Sequence, residues 1–168
     1  LVRWVVDALR TAGVDDVIVV VGHRADLVEA CLEGLPGVSF ATQREQRGTG
    51  DAVAAATARI RALAEGRSAR RPVVIVCGDS PMLRPASVRG LLARFVSSGA
   101  SCLLGTAITD APQGLGRIVR DADGRFRRIV EEKDATAAER AIHEVNMSTY
   151  VFAAADLLGA LEIGRAHV

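Results

Sequence analysis

The sequence predicts an α/β domain of three layers, α/β/α, around a mixed, mostly parallel sheet. Three observations predict it. Helix-like and strand-like stretches alternate along the chain, and alternating βα units imply parallel strands. Two strand-like runs, Val17 to Val21 and Val73 to Val76, are continuous and β-branched, the mark of strands covered on both faces. Asp121-Ala122-Asp123-Gly124 places Asp-Gly between two further runs, a hairpin signal that adds antiparallel strands.

The elements follow in order. Leu1 to Ala12 reads as an amphipathic helix, with Val2, Val5, Val6 and Leu9 on one face. The Val17 strand comes next. Ala25 to Leu35 reads as a helix closed by Gly34 and Pro36. Val38-Ser39-Phe40-Ala41 is a short strand. After the loop Gln43 to Gly48, a helix opens near Thr49 and carries Val53, Ala56, Ile60 and Leu63 at helical spacing. The Val73 strand is followed by a helix from Pro85 to Phe95, then by a strand from Ser101 to Thr106. Gly116 to Arg120 and Arg125 to Val130 form the hairpin. A short helix from about Ala135 to Ala141 leads into a long strand, Glu144 to Phe152. No repeat, low-complexity tract or linker divides the chain, so one domain is expected.

Bulk properties narrow the function. The 168 residues are 49% hydrophobic, which supports a core and excludes disorder. No apolar run approaches the ~20 residues of a membrane helix. A net charge of +1 points away from nucleic acid and from anionic membranes as main partners. Cys31, Cys77 and Cys102 are far apart and odd in number. They show no metal-ligand spacing and fit a reducing cytoplasm without disulfides. Lys133 is the only lysine, a bias with a codon explanation as good as any physical one.

Both ends read as cut. The chain opens without Met inside a helix, and its last seven residues, EIGRAHV, match the translation of a common sequencing adapter. Glu162 to Val168 is therefore expected to be read-through that continues no helix. Leu1 to Leu161 is left as a partial domain truncated at both ends.

Ligands in open α/β sheets sit beyond the carboxyl ends of the strands. Three loops lie there: Gly22-His23, Gln43 to Gly48, and Gly78-Asp79-Ser80-Pro81. Gly78 permits close backbone approach. Asp79 offers a carboxylate of the kind that holds Mg²⁺ together with ligand phosphates, or it caps a turn before Pro81. No dinucleotide glycine fingerprint and no Gly-Lys-Ser/Thr phosphate loop is present, so a nucleotide would bind by another scheme.

Five motifs then occur in order: EQRGTGDA, CGDSPML, GLGRIVR, IVEEKDA and EVN. Together they resemble the uridylyltransferase domain of the bacterial bifunctional N-acetylglucosamine-1-phosphate uridyltransferase/glucosamine-1-phosphate acetyltransferases. The resemblance covers essentially Leu1 to Leu161. It implies a Rossmann-like nucleotide-diphospho-sugar transferase fold. It also implies a Mg²⁺-dependent reaction of UTP with N-acetylglucosamine 1-phosphate, giving UDP-N-acetylglucosamine and pyrophosphate for cell-envelope synthesis.

By the same resemblance, Gln43, Gly48 and Thr49 meet the uracil, and Cys77, Gly78 and Asp79 form the aromatic-Gly-Asp segment with Asp79 as Mg²⁺ ligand. Gly116, Glu131 and Asn146 then meet the sugar. An amide offers a donor and an acceptor to a buried base, and a carboxylate or amide suits hydroxyls and an N-acetyl group. Simpler readings stand beside these. Gln43 is also a plausible solvated loop residue, Glu131 a strand-edge charge, Asn146 a turn residue and Arg117 half of a surface ion pair. Thr49 also suits a helix N-cap, and Gln46 and Glu45 suit loop shaping.

The sequence departs from the pattern at Cys77, at Leu115 in place of an aromatic, and at Met147-Ser148, where Gly is common two positions after Asn146. The resemblance places the family's first strand, its glycine-rich triphosphate loop and a catalytic lysine before Leu1. A second metal ligand falls after Leu161. No catalytic residue is therefore expected within the chain, the chain alone is expected to be inactive, and a neighbouring central strand edge should be exposed. An acetyltransferase half and a homotrimer would belong to the parent. The alternatives are a transferase of the same fold with another NTP or sugar phosphate, and a non-catalytic regulatory domain.

Overall fold

The computed structural model of the chain describes residues 1–165. Its elements are α1 (Val2–Thr11), β1 (Val17–Val21), α2 (Ala25–Leu32), β2 (Val38–Thr42), α3 (Thr49–Ala55), α4 (Thr57–Ala64), β3 (Pro72–Ile75), α5 (Pro85–Ser98), β4 (Cys102–Ile108), β5 (Arg117–Arg120), β6 (Phe126–Val130), α6 (Ala137–Arg140), β7 (Glu144–Ala153) and α7 (Ala154–Arg165).

Three layers form because β1 and β3 present apolar side chains to both faces. Val17 and Val19 of β1, with Val74 and Val76 at β3, pack with Val5, Val6 and Leu9 of α1 and Val88 of α5. The alternate residues Ile18, Val20, Val73 and Ile75 face the other way, against Ala56, Ile60 of α4 and Leu157 of α7. Successive strand side chains point to opposite faces, so one β-branched run serves two helical layers.

The sheet is mixed, but it is not mostly parallel, and it is split. β1 and β2 pair in parallel, Val17 beside Val38 through Val21 beside Thr42. A second sheet runs β3-β7-β5-β6, with β4 also on β7, and each of its pairs is antiparallel. The reason lies in β7. β3 and β4, joined through α5, both run against β7 and hence in the same direction as each other. The crossover is the one the alternation predicts; β7 inserts between its two strands and turns one parallel neighbourhood into two antiparallel pairs.

β1 and β3 are also aligned. Arg71, just before β3, donates to Asp16 Oδ2, just before β1, at 2.7 Å, so their amino ends meet on one side of the sheet. Gly37 fixes the entry to β2. Its φ is +73°, and a Cβ there would lie 2.2 Å from the Asp15 carbonyl oxygen, so no side chain fits.

Some boundaries differ from expectation. α2 stops at Leu32 because Glu33 is extended, with ψ 139°, and Gly34 has φ +75°. The single helix expected after Thr49 is two, broken at Ala56, where the Thr57 hydroxyl donates to the Ala54 carbonyl at 2.7 Å. α6 is only Ala137–Arg140, preceded by a 3₁₀ turn at Glu132–Asp134. α7 follows β7 directly and runs to Arg165, and Glu162 accepts from Arg61 at 2.7 Å. Glu162 to Arg165 thus continue a helix, contrary to expectation; residues 166–168 of the same segment lie outside the described residues. Among the described residues no helix is long and apolar enough to cross a membrane.

Candidate functional site

The loop after β2 is built by Gln43. Its backbone N–H donates to the Val21 carbonyl at 2.8 Å, which carries the β1–β2 ladder one residue further. Its side-chain Nε2 donates to Asp51 Oδ2 at 2.7 Å and to the Gly48 carbonyl at 3.3 Å. Gln43 therefore ties the loop to the first turn of α3 and is not merely solvated. Gly48 has φ +104°, open to glycine and strained for other residues. Gly48, not Thr49, is the residue that caps α3, and no side chain caps that helix. The N-cap expected of Thr49 is not formed, because the chain reaches helical geometry one residue earlier than that role requires, at Thr49 itself.

The loop after β3 approaches the same place. Gln43, Gly48, Thr49, Cys77 and Gly78 all line one cavity of about 750 Å³ that extends between β1 and β3. Asp79 follows, exposed, in a turn closed by the Ser80 N–H on the Cys77 carbonyl at 3.3 Å. The first loop joins from the side. A Cβ on Gly22 would lie 3.2 Å from the Gln43 carbonyl oxygen and 3.6 Å from Gln46 Nε2. A second cavity of about 480 Å³ lies there, lined by Gly22, His23, Thr42, Gln43, Arg44 and Gln46. Gln43 borders both cavities.

The other three predicted residues form their own cluster. The buried Gly116 accepts the Asn146 backbone N–H at 2.8 Å. A Cβ on Gly116 would sit 3.0 Å from Ile129 Cγ2 and 3.4 Å from a Glu131 carboxylate oxygen, so glycine is what lets Glu131 close over the strand. Asn146 is 8% exposed, and its amide is engaged within the protein. Nδ2 donates to the Tyr150 hydroxyl at 2.7 Å, and Oδ1 accepts the Ser148 N–H at 3.1 Å. The register of β7 on β4 shifts between Gly105 and Thr106, leaving Met147 and Ser148 in a bulge.

Gly116, Glu131 and Asn146 do not line the larger cavity. The two clusters approach each other where Ser148, two residues after Asn146, influences the Cys77 thiol. Burial and the neighbouring Asp79 charge push the Cys77 thiol up, and the Ser148 hydroxyl opposes them. A thiol held neutral is no ligand for a hard cation.

Arg117 is the residue the sequence misjudged. It is 1% exposed, not part of a surface pair. It donates to the Leu115 carbonyl and, at 3.3 Å, to Glu132 Oε2, while its Nε is buried without a partner among the described residues. Glu132 also accepts the Gly114 N–H. That bond, with Arg117 assisting, holds its carboxyl below the ordinary range. Arg117 and Glu132 together clamp the Gly114–Gly116 turn. Asp51, Ser148 and Tyr150 were also missed. Only Tyr150, the sole tyrosine, gave any signal, standing four residues after Asn146 in one strand.

Asp79 follows Gly78 at this rim and itself lines neither cavity. Among the described residues no group of three or more His, Cys, Asp and Glu is placed to hold an ion. That donor set fits Mg²⁺ held by one carboxylate plus ligand phosphates and does not fit an all-protein cage.

Comparison with known proteins identifies the family. The profile of the MobA-like NTP transferase domain matches residues 1–149. The chain is 44% identical over 161 residues to a bifunctional protein GlmU of Geobacter metallireducens, covering 96% of this chain and 33% of that protein. It is 48% identical over 141 residues to the bifunctional protein GlmU of Anaeromyxobacter sp. (strain K), covering 82% of this chain and 28% of the relative. The chain thus spans about a third of the length of these curated relatives. A crystal structure of apo-UDP-glucose pyrophosphorylase shares the fold, with TM-score 0.68 and 12% identity, covering 96% of this chain and 67% of that one. By its profile match, the chain belongs to the family of MobA-like NTP transferase domains.

Proposed function

We propose that residues 1–161 form the nucleotide- and sugar-binding part of a uridylyltransferase that joins UTP and N-acetylglucosamine 1-phosphate. A phosphate oxygen of the sugar phosphate attacks the α-phosphorus of UTP. The bond from that phosphorus to the bridging oxygen breaks, and pyrophosphate leaves. Such chemistry depends on alignment and charge neutralisation more than on covalent catalysis.

The observation that carries the reading is the convergence of Gln43, Gly48, Thr49, Cys77 and Gly78 on one cavity in a chain so similar to the GlmU proteins. Gln43 and the Gly48-Thr49 backbone face the base. Gly78 lets the nucleotide approach the end of β3, and Asp79 holds Mg²⁺, which neutralises phosphate charge when bound. Gly116, Glu131 and Asn146 form the wall for the sugar, with the Asn146 amide free to serve it only if its bonds to Tyr150 and Ser148 are exchanged. The three free cysteines fit a reducing cytoplasm, and the longer relatives leave room for a trimer-forming acetyltransferase half in the parent.

A thermal-shift panel of UTP, dTTP and CTP, each with and without Mg²⁺, tests this. The largest stabilisation is expected with UTP and Mg²⁺. It should fall about tenfold in apparent affinity in Gln43→Ala, and its Mg²⁺ dependence should disappear in Asp79→Ala. Equal response to CTP would redirect the reading to another nucleotide. Binding indifferent to Mg²⁺ and to Asp79→Ala would make this a non-catalytic domain.

A further inference from the structure

Gly116, Glu131 and Asn146 stand in one row across three strands. Arg117 of β5 lies between Val130 of β6 and Val145 of β7. One step back along β5, Gly116 therefore lies between Glu131 and Asn146, and its carbonyl accepts the Asn146 N–H at 2.8 Å. Both oxygens of the Glu131 carboxylate come close to the place a Cβ on Gly116 would take, at 3.4 and 3.5 Å. Glu131 is exposed, and its carboxylate has no hydrogen bond or ion pair among the described residues. A carboxylate accepts hydrogen bonds and donates none, so what this one lacks is a donor.

The row is held from behind. Successive residues of an extended chain point to opposite faces, and Glu131 is extended, with φ −69° and ψ 148°. Gly116 and Glu131 share one face, while Arg117 and Glu132, each one residue further on, meet on the other. The Arg117 guanidinium donates to the Leu115 carbonyl and, at 3.3 Å, to Glu132 Oε2. The same Glu132 oxygen accepts the Gly114 N–H. One side chain thus ties the backbone ahead of Gly116 to the residue that follows Glu131. Arg117 is 1% exposed and lines neither cavity, so it serves a ligand only through these neighbours.

Stability gives no reason for a guanidinium at this place. Replacing a buried ion pair by apolar side chains of similar volume is often neutral or stabilising. What the guanidinium adds is direction, because its donors lie in one rigid plane. Direction matters to Glu131, since a hydrogen bond stretched to about 3.6 Å is no longer one.

We infer that Arg117 is a positioning residue for the sugar. Acting through Glu132 and the Leu115 carbonyl, it holds the Glu131 carboxylate over Gly116, where that carboxylate accepts from hydroxyls of a pyranose. The inference rests on the reading of Gly116, Glu131 and Asn146 as the sugar wall and is independent of which base the other cluster binds.

The test is calorimetric titration of the whole chain, with Mg²⁺ present, by UTP and by UDP-N-acetylglucosamine. Glu131→Gln should weaken UDP-N-acetylglucosamine about tenfold, the loss of one charge-assisted hydrogen bond, and leave UTP within about twofold. Arg117→Met should reproduce that split. In the double variant the two losses should not add, because Arg117 acts through Glu131. Glu132→Gln, which keeps the volume and weakens the hold on the guanidinium, is read in the same way, so a poorly folding Arg117→Met does not end the test. If Glu131→Gln shows the split but Arg117→Met and Glu132→Gln do not, the inference is overturned and the sugar wall stands. Equal loss of both ligands in Arg117→Met, or losses that add in the double variant, would mark Arg117 as structural only and also overturn it. If Glu131→Gln leaves UDP-N-acetylglucosamine unaffected, or the parent chain binds neither ligand, the sugar-wall reading fails and takes the inference with it.

Discussion

Ser148 holds a left-handed backbone, φ +49°, where the bulge in β7 fits Met147 and Ser148 between Asn146 and Thr149 opposite a single step of β4. A side chain in that conformation costs roughly 1–2 kcal/mol, partly offset here by the Ser148 N–H on Asn146. This is the position where the resembled family commonly carries glycine, and the backbone supplies the reason. Ser148→Gly should raise stability by about 0.5–1 kcal/mol, net of glycine's larger entropy loss, read as a higher urea midpoint with unchanged slope. Arg117 gives the opposite lesson. Truncation to Ala removes a buried stem and its bonds to Leu115 and Glu132, and should cost about 3 kcal/mol. Arg117→Met keeps most of the volume and removes a desolvated charge, so its unfolding free energy should stay within about 1 kcal/mol of the parent's. A large loss in both variants would show that the hydrogen bonds matter more than the packing. The loop positions of Gln43, Gly78 and Asp79 were legible because turn residues follow each strand-like run. Asp51 and Ser148 were not, since their roles consist of contacts between elements.

The short helix α6 shows how strongly an element can depend on its first residue. Thr136 and Glu139 form a reciprocal capping box. The Thr136 N–H, then its hydroxyl, and then Arg128 hold the Glu139 carboxyl below the ordinary range. Arg120 does the same to Glu144 across the β5–β7 edge. A carboxylate whose folded pKa is lowered stabilises the fold fully above its unfolded value, about 4.3 for glutamate. That contribution is lost as pH falls through the lowered value. Thermal unfolding followed from neutral to acid pH should therefore show destabilisation below about pH 4. Glu139→Gln should start less stable and lose less on acidification; an acid limb as steep as the parent's would remove Glu139 from the explanation. The helical faces of α1 and α5 and the Asp-Gly hairpin were readable because their periods and turn residues are local. The break at Ala56 was hidden because Thr57 fits a helical pattern, and only its hydroxyl bond to Ala54 marks the division.

Across the whole molecule, two sheets are held together by helical layers and by Arg71 on Asp16, with no strand pairing between them among the described residues. β7 is paired along both edges, whereas β1 has one partner. Native-state hydrogen exchange should rank them accordingly: β3, β4 and β7 exchange only on global unfolding, while β1 and β2 exchange at least tenfold faster through a sub-global opening. Uniform protection across both sheets would refute the division. The sequence by itself determined the alternation of elements, the two-faced burial of β1 and β3 and the loops that carry Gln43 and Asp79, because side-chain period and turn chemistry are written within a few neighbouring residues. Only the tertiary structure decided that β7 lies between β3 and β4, that Arg117 is buried, and that the rim resolves into two clusters. Those outcomes depend on which distant strand wins a shared edge, a competition among backbone hydrogen bonds and packed faces that no local pattern records.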